Sequence, residues 1–126
     1  MRTTLASKKP YAVVLAAFRA AVAGNGMKVM DSYDQETHLG PAGLPVKGTL
    51  YLVGNPNVGK QAFARDPAVG LYLPSRVYIY QGNDGMTHLS YDRPSLLLQQ
   101  FHDPEITRIG KMLDQKLDTV VHAAAQ

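Results

Sequence analysis

The sequence predicts an α+β fold, a two-layer sandwich in which helices pack on one face of a mainly antiparallel sheet. The chain has 126 residues, the usual size of one domain, so residues 1–126 are expected to form a single unit. Hydrophobic residues make up 45% of the chain, which is enough for one core. The predicted strands come in pairs joined by turns, as in antiparallel sheets, and helical segments lie between the pairs.

The first half of the chain is predicted to form a strand, a helix and a second strand. Residues 3–7 can form the first strand, and Pro10 is suited to the first turn of a helix. The helix is expected to end at Gly24-Asn25-Gly26, and residues 27–33 have the composition of a strand. Residues 38–45 contain two glycines and two prolines and are predicted to be a loop. The apolar positions at helical spacing are Val14, Leu15, Phe18, Ala21 and Val22.

The middle of the chain is predicted to hold a strand, a short helix and a hairpin. Residues 46–53 are the clearest β segment, and Gly54-Asn55-Pro56-Asn57 turns it into a helix of about ten residues. Segments 76–80 and 86–91 have alternating patterns and flank residues 81–85, which contain Asp-Gly. Two alternating segments around such a turn are typical of a β-hairpin.

A C-terminal helix is predicted over residues 103–124. Asp103 can cap it, Pro104 fits its first turn, and Glu105 suits the positive end of the helix dipole. An apolar stripe at helical spacing predicts the buried side. That stripe consists of Ile106, Ile109, Leu113, Leu117, Val120 and Val121.

The charge pattern argues against nucleic-acid binding. The formal net charge is only +3, and Lys8-Lys9 is the one basic doublet among scattered basic residues. A nucleic-acid-binding domain concentrates its positive charge on one face or run. Charged residues make up 18% of the chain, which leaves room for a surface that a ligand or another subunit covers.

The chain contains no cysteine, which excludes disulfides, iron–sulfur clusters, thiol nucleophiles and c-type haem attachment. No run of about 18 apolar residues is present, so no transmembrane helix is predicted. Residues 11–27 are rich in Ala and Val, but Arg19 interrupts them, and they are interpreted as an amphipathic helix. We therefore expect a soluble protein, either cytoplasmic or periplasmic after removal of a signal that precedes residue 1.

Residues 54–60, Gly-Asn-Pro-Asn-Val-Gly-Lys, have the spacing of a phosphate-binding loop, in which glycine amides cradle phosphates and the lysine reaches the outer ones. The next residue should be Ser or Thr, whose hydroxyl holds magnesium, but it is Gln61. No apolar strand ending in aspartate follows to supply a second magnesium anchor. The segment is therefore interpreted as a turn and helix start capped by Asn55 or Asn57, and no nucleotide is expected at Gly54–Lys60.

Several stretches over roughly residues 3–100 carry a resemblance. They are the first helix with Gly26-Met27-Lys28-Val29 beyond it; Gly54-Asn55-Pro56; residues 66–80, Asp-Pro-Ala-Val-Gly-Leu-Tyr-Leu-Pro-Ser-Arg-Val-Tyr-Ile-Tyr; and Asp84-Gly85 before a strand ending in Ser90-Tyr91 and then Pro94. In their order and spacing these resemble the domain of unknown function 302 family. The resemblance implies a compact α+β domain that tends to pair through its sheet, and it implies no established reaction or catalytic residues.

Side chains alternate across a strand, so each predicted strand divides into two sets. The set expected to lie beneath the helices is Leu50, Leu52, Val77, Ile79, Thr87, Leu89 and Tyr91. The opposite set, which is aromatic, amphipathic and nearly uncharged, is Met30, Thr49, Tyr51, Val53, Tyr78, Tyr80, His88 and Ser90. A face of this composition is typical of a dimer interface and also suits a flat hydrophobic ligand.

Haem b is the most concrete candidate for such a ligand, because a neutral imidazole can ligate its iron while aromatic and methionine side chains wrap the ring. His88 is expected to be the axial ligand, with Tyr51, Tyr78, Tyr80 and Met30 lining the site. We therefore predict a homodimer that binds haem at its sheet face, for haem handling or gas sensing. The alternative is a protein–protein interaction module whose aromatic face is filled by its partner.

The remaining histidines and one serine give weaker candidates. His38 lies in a loop that could close over a pocket, His102 precedes a helix cap, and His122 is near the C-terminus. No pair of histidines has a zinc spacing. Ser90 and His88 could share a strand face, which keeps a small hydrolase or lyase as a further alternative. No orienting acid or oxyanion signature accompanies them, so a non-enzymatic role is favoured.

Overall fold

The computed structural model describes residues 1–126 as an α+β domain, which confirms the predicted fold class. Its single sheet has five strands in the order β1-β5-β4-β3-β2, and all neighbouring strands are antiparallel. The strands are β1 (Arg2–Ser7), β2 (Lys28–Asp34), β3 (Gly48–Gly54), β4 (Ser75–Gln81) and β5 (Thr87–Asp92).

Five α-helices accompany the sheet: α1 (Tyr11–Gly24), α2 (Gln35–Leu39), α3 (Pro56–Arg65), α4 (Pro94–Leu98) and α5 (Pro104–Ala125). Short 3₁₀ turns cover Pro67–Leu71 and Gln99–Phe101. The predicted loop over residues 38–45 begins inside α2, a helix that the sequence reasoning missed. Asp34 caps α2 by accepting a hydrogen bond from the Glu36 amide. The helix is little more than one turn long, so its apolar residues show no helical periodicity that could have predicted it. No helix is both long and apolar enough to cross a membrane.

The main core lies between α1, α5 and one face of the sheet. Its largest fully buried members include Phe18 from α1, Leu117 from α5 and Ile79 from β4. A smaller cluster joins α3, the 3₁₀ turn after it, α4 and the first half of α5. The predicted stripe of α5 is confirmed, since all six of its residues are buried. The opposite side of the sheet is not covered by α1 or α5 and is called the open face below.

The alternation of β3 is the reverse of the prediction. Thr49, Tyr51 and Val53 are buried on the helix side, and Leu50 and Leu52 lie on the open face. The register with β4 sets this, because Tyr51 lies opposite Val77 and paired residues share a face. Four consecutive residues of β3 are apolar, so apolar and polar residues do not alternate there. The sequence pattern therefore does not show which face of the strand is buried.

Asp103 joins two parts of the fold at the start of α5. Its Oδ1 accepts hydrogen bonds from the amides of Glu105 and Ile106 at 2.9 and 3.1 Å, so it is the cap that the sequence predicts. Its Oδ2 accepts a hydrogen bond from Arg65 Nε at 3.0 Å, which ties α5 to α3. The hydrogen bond from Arg65, followed by that from the Ile106 amide, lowers the pKa of the Asp103 carboxyl below its ordinary value of 3.8.

Replacing Asp103 by alanine is expected to lower the melting temperature at neutral pH, because the cap and the link to Arg65 are both lost. A lowered pKa in the folded state means that the charged carboxylate contributes stability above pH 3.8 and loses it as the pH falls through the lowered pKa. Thermal melts of wild type, Asp103→Ala and Asp103→Asn across acidic pH would check this. The asparagine variant should keep part of the cap and lose less stability on acidification than wild type does; identical acid profiles would contradict it.

Candidate functional site

Three aromatic side chains form a continuous stack at the centre of the open face. The rings of Tyr78 and Tyr80 are 5.1 Å apart, and those of Tyr80 and His88 are 5.2 Å apart, with interplanar angles of 19° and 20°. The strand register builds this stack, because Tyr80 lies opposite His88 and Tyr78 lies opposite Ser90. The three stacked side chains and Ser90 are partly exposed, and they lie on the face where the alternation of β4 and β5 predicts them.

Tyr51 and Met30 do not belong to this stack, so the prediction that they line the same surface is wrong. Tyr51 is 1% exposed within the core, where its ring lies 5.0 Å from that of Phe18, and its burial raises its pKa. Met30 is the extra residue of a β-bulge in β2 and is 47% exposed. It borders a different cavity, on the helix side of the sheet beside Val53 and α3.

His88 is held by a carboxylate that the sequence reasoning did not assign to it. Its Nε2 lies 3.0 Å from each carboxylate oxygen of Asp84, in the turn between β4 and β5. The hydrogen bond from His88 is the largest cause that lowers the pKa of Asp84. Gly82 makes the approach possible, since a Cβ there would lie 2.8 Å from Asp84 Oδ1 and from His88 Nε2. The spacing of four residues across an Asp-Gly turn is the signal that could have found the pair.

His88 Nδ1 makes no hydrogen bond within the chain, and in the neutral tautomer whose Nε2–H donates to Asp84 this nitrogen carries a free lone pair. A metal-ligating histidine characteristically donates its other ring N–H to a carboxylate, which orients the ring and raises its basicity. The Asp84–His88 pair therefore has the arrangement that a single axial ligand needs. No group of three or more His, Cys, Asp or Glu residues is placed to hold a metal ion by protein ligands alone.

A groove of about 400 Å³ continues the open face beyond Tyr78. Arg2 and Arg76 border it and form no ion pair within the chain. The other residues around it are Leu50, Leu71, Tyr72, Ser75, Tyr78, Ser90, Tyr91, Asp92, Pro94 and Leu97. The groove therefore joins an apolar and aromatic floor to a charged end that carries two guanidinium groups and the Asp92 carboxylate.

The other histidines are placed apart from the stack. His38 lies in α2 and stacks on Tyr33 of β2, with ring centroids 4.8 Å apart and nearly parallel planes. His102 takes a left-handed backbone conformation just before α5. His122 lies near the end of α5, with its Nδ1 2.8 Å from the Asp118 carbonyl oxygen.

The arrangement offers little for nucleophilic catalysis. Ser90 shares the open face with His88, as predicted, but the two side chains form no hydrogen bond with each other. A serine nucleophile needs its base within hydrogen-bond reach. Asp84 supplies an acid beside His88, yet that histidine faces the aromatic stack and not the serine.

The segment with phosphate-loop spacing begins α3, and Asn55 caps it, as the sequence analysis allowed. Asn55 Oδ1 accepts a hydrogen bond from the Asn57 amide at 2.9 Å, while the Val58 and Gly59 amides donate to the Asn55 carbonyl. The first amides of the helix are thus engaged locally and do not form an open cradle. The absence of nucleotide binding stays a prediction.

Comparisons with known proteins agree with this architecture. The sequence model of "Domain of unknown function DUF302" matches residues 3–124, which include nearly all of α5 as well as the stretches that carry the resemblance. A crystal structure of an uncharacterized conserved DUF302 protein from Bacillus stearothermophilus has a TM-score of 0.89 and 18% identity, covering 98% of this chain and 97% of that one. No curated protein matches. The family match extends over nearly the whole chain, and the chain therefore belongs to the DUF302 family.

Proposed function

We propose that this chain binds a flat, largely apolar ligand with acidic groups on its open face, at the interface between two copies of the chain. Haem b is the ligand that fits this description most concretely. The observation that carries the proposal is the Tyr78–Tyr80–His88 stack, which ends in a histidine whose Nε2 is bonded to Asp84 and whose Nδ1 is unpartnered.

The stack supports a largely apolar ligand because aromatic side chains offer broad contact area and few polar atoms. When bound, haem would supply an iron that accepts one imidazole nitrogen, and His88 Nδ1 is the nitrogen free to do so. Asp84 would act on the far side of the ring by holding the Nε2 proton and the ring orientation. Tyr78 and Tyr80 line this site, as the sequence predicts. Tyr51 and Met30, which were predicted to line it with them, do not.

The two arginines support the acidic part of the ligand. Haem carries two propionate groups, and guanidinium groups bind carboxylates through paired hydrogen bonds. Arg76 lies on the same strand face as Tyr78 and Tyr80, two residues along β4, and Arg2 borders the same groove. Both are exposed and without an ion-pair partner, so a carboxylate would not have to displace an existing salt bridge.

A second copy is proposed because the open face would leave the other side of a flat ligand in water. A two-fold axis through the face would place the same aromatic stack on both sides of a shared cleft. Tyr-rich, charge-poor surfaces are typical of interface centres. The charged side chains Arg2, Arg76 and Asp92 lie towards one end of the open face, where a polar rim is expected.

The test is a hemin titration followed by the visible spectrum. Wild type is expected to develop a saturable Soret band, and His88→Ala is expected to lose it, because the variant lacks the iron ligand itself. His122→Ala is the matched control, because that histidine is exposed near the end of α5 and should leave the titration unchanged. Asp84→Asn should weaken binding less than His88→Ala does, since it perturbs only the orientation of the ring.

Two outcomes would overturn the proposal. A free-hemin spectrum throughout would remove haem as the ligand. A Soret band lost in His38→Ala but kept in His88→Ala would move the site to the Tyr33–His38 pair. Light scattering of the same samples tests the dimer: a monomer with and without hemin would contradict the shared cleft.

A pure interaction module is the second candidate, and one observation favours it. The His88 imidazole already has a partner in Asp84 and a stacked neighbour in Tyr80, so its environment is satisfied without a metal. In that case the chain should dimerise without hemin, and Tyr78→Asp should dissociate the dimer by placing a charge at its centre. A coloured, hemin-dependent dimer distinguishes the first candidate from this one.

A further inference from the structure

The free edge of β1 is a second surface of the chain, distinct from the open-face stack. β1 and β2 are the two edge strands of the sheet, and β1 pairs only with β5. An edge strand presents backbone N–H and C=O groups that no other strand of its sheet satisfies, so it can pair with a strand from outside. The two edges of this sheet differ in how well they are protected against such pairing.

The edge at β2 is protected. Its pairing with β3 is interrupted by the β-bulge at Met30, and the strand contains the charged residues Lys28, Asp31 and Asp34. Bulges and charges are common features that keep an edge strand from pairing with another chain. β1 has no bulge in its register with β5 and no proline, and Arg2 at its start is its one charged residue. The edge at β1 is therefore the one that is open to pairing.

The hydrogen bonds of β1 show which backbone groups face this edge. The Arg93 amide donates to the Met1 carbonyl at 3.3 Å, and these two residues continue the register between β1 and β5. Residues along an antiparallel strand alternate between hydrogen-bonded and non-hydrogen-bonded pairs. Odd-numbered residues of β1 therefore bond to β5, and the N–H and C=O groups of Arg2, Thr4 and Ala6 point outward at the free edge.

We propose that this edge pairs with the same edge of a second copy of the chain, with the two β1 strands antiparallel and Thr4 on the two-fold axis. Only residues whose backbone groups point outward can bond across the contact, so even-numbered residues pair with even-numbered residues. With Thr4 opposite Thr4 of the second copy, Arg2 lies opposite Ala6, and every outward group of β1 finds a partner. A shift by two residues in either direction leaves some of these groups without a partner in the other β1.

The side chains of β1 agree with this register. On the open-face side a pair of Thr4 side chains lies at the axis, and cross-strand threonine pairs stabilise antiparallel sheets. On the helix side Leu5, which packs against the main core, lies opposite Thr3, and that side of the strand carries no charge. A shift by two residues in one direction would bring Arg2 opposite Lys8, and like charges directly opposite each other are destabilising.

A second copy suits this edge because the contact is self-complementary. In a two-fold contact each residue pair occurs twice with the roles exchanged, and β1 meets this condition about Thr4 without placing like charges opposite each other. A two-fold axis between antiparallel edge strands is perpendicular to the sheet, so both helix layers would lie on the same side. The open faces of the two copies would then form one continuous surface. This contact does not rest on the function proposed for the stack.

Sedimentation velocity of the full chain tests the contact. Tyr78→Asp, which places a charge on the open face, serves as the background, so that a dimer that remains belongs to the edge. This background is expected to dimerise without hemin. Ala6→Lys should weaken the dimer by about tenfold, because it creates two like-charged pairs with Arg2 across the axis, and adding Arg2→Glu should restore the affinity. Ala20→Lys, at an exposed alanine of α1, is the matched control and should leave the dimer unchanged.

A cysteine cross-link tests the register. The chain has no cysteine, so Thr4→Cys introduces one defined thiol. Opposite residues of a hydrogen-bonded antiparallel pair have Cα atoms about 5.5 Å apart, which a disulfide can span. Mild oxidation of Thr4→Cys is therefore expected to give a disulfide-linked dimer on a non-reducing gel. In Ala6→Cys, the matched control, the two thiols lie about four residues apart along the strand direction, roughly 13 Å, and should not cross-link.

Three results would overturn the proposal. One is a Tyr78→Asp chain that is folded by circular dichroism and monomeric at the highest concentration reached, which would leave the edge to a strand of another protein. Another is Ala6→Lys that dimerises as tightly as its background. The third is Ala6→Cys that cross-links as efficiently as Thr4→Cys, which would exclude the register. Hemin binding by His88 is followed by the visible spectrum and is independent of these outcomes, so the two proposals fail separately.

Discussion

Replacing Tyr51 by alanine is expected to lower the free energy of unfolding by about 3–5 kcal/mol, as for other large aromatic side chains removed from a core. Tyr51 is 1% exposed and packs against Phe18 beneath α1, so its loss leaves a cavity that the neighbours fill only in part. Such a loss is a large part of the roughly 5–15 kcal/mol that holds a typical domain together. Urea unfolding followed by circular dichroism would measure it.

Tyr78→Ala is the matched control on the opposite face of the same sheet. Tyr78 is partly exposed, and solvent can enter the space that its ring leaves, so a loss of about 1 kcal/mol is expected. The difference between the two losses of unfolding free energy shows which face of β3 and which face of β4 is buried. Equal, small losses for both variants would mean that Tyr51 lies on an exposed surface and would contradict the register of β3 and β4.

Gly110→Leu is expected to cost about 3 kcal/mol of unfolding free energy, at the upper end for overpacked cores. Gly110 is buried in α5 where that helix passes close to α4. A Cβ at this position would lie 2.9 Å from Ser95 Cα, which is a backbone atom and cannot rotate away. The two helices would have to separate, and the hydrogen bond from the Ser95 amide to Asp114 would be strained.

Gly59→Ala provides the control for Gly110 because it places a methyl group on another helix with nothing within 4 Å. Alanine stabilises a helix interior relative to glycine by roughly 0.5–1 kcal/mol, so this variant should be more stable than wild type. Denaturant unfolding of both variants separates the effect of helix propensity from that of close packing. A Gly110→Leu variant as stable as wild type would show that α4 does not approach α5 so closely.

Much of the fold could be predicted because its signals are local. The cap at Asp103, the stripe of α5 and the Asp-Gly turn between β4 and β5 each depend on residues a few positions apart. The short helix α2 was missed because a single turn has no periodicity to recognise. The faces of β4 and β5 could be assigned because polar and apolar residues alternate along them.

The candidate site could be predicted only in part. His88, Tyr78 and Tyr80 were placed together correctly, since one hairpin carries all three and fixes their register. Tyr51 was assigned to the wrong face because its strand is apolar at consecutive positions, which hides the alternation. Met30 was assigned wrongly because it is the extra residue of a β-bulge, which shifts the alternation by one. Asp84 was read as a turn residue, and its bond to His88 appears only when the hairpin closes.

By itself the sequence determined the fold class, the caps and the side of α5 that is buried, because these follow from residues adjacent along the chain. Tertiary structure alone decided which side of β3 faces the helices, through its pairing with β4. It also left the buried Ser75 Oγ without a hydrogen-bond partner. Such long-range pairings depend on how separate elements pack, and no local pattern records the space that remains between them.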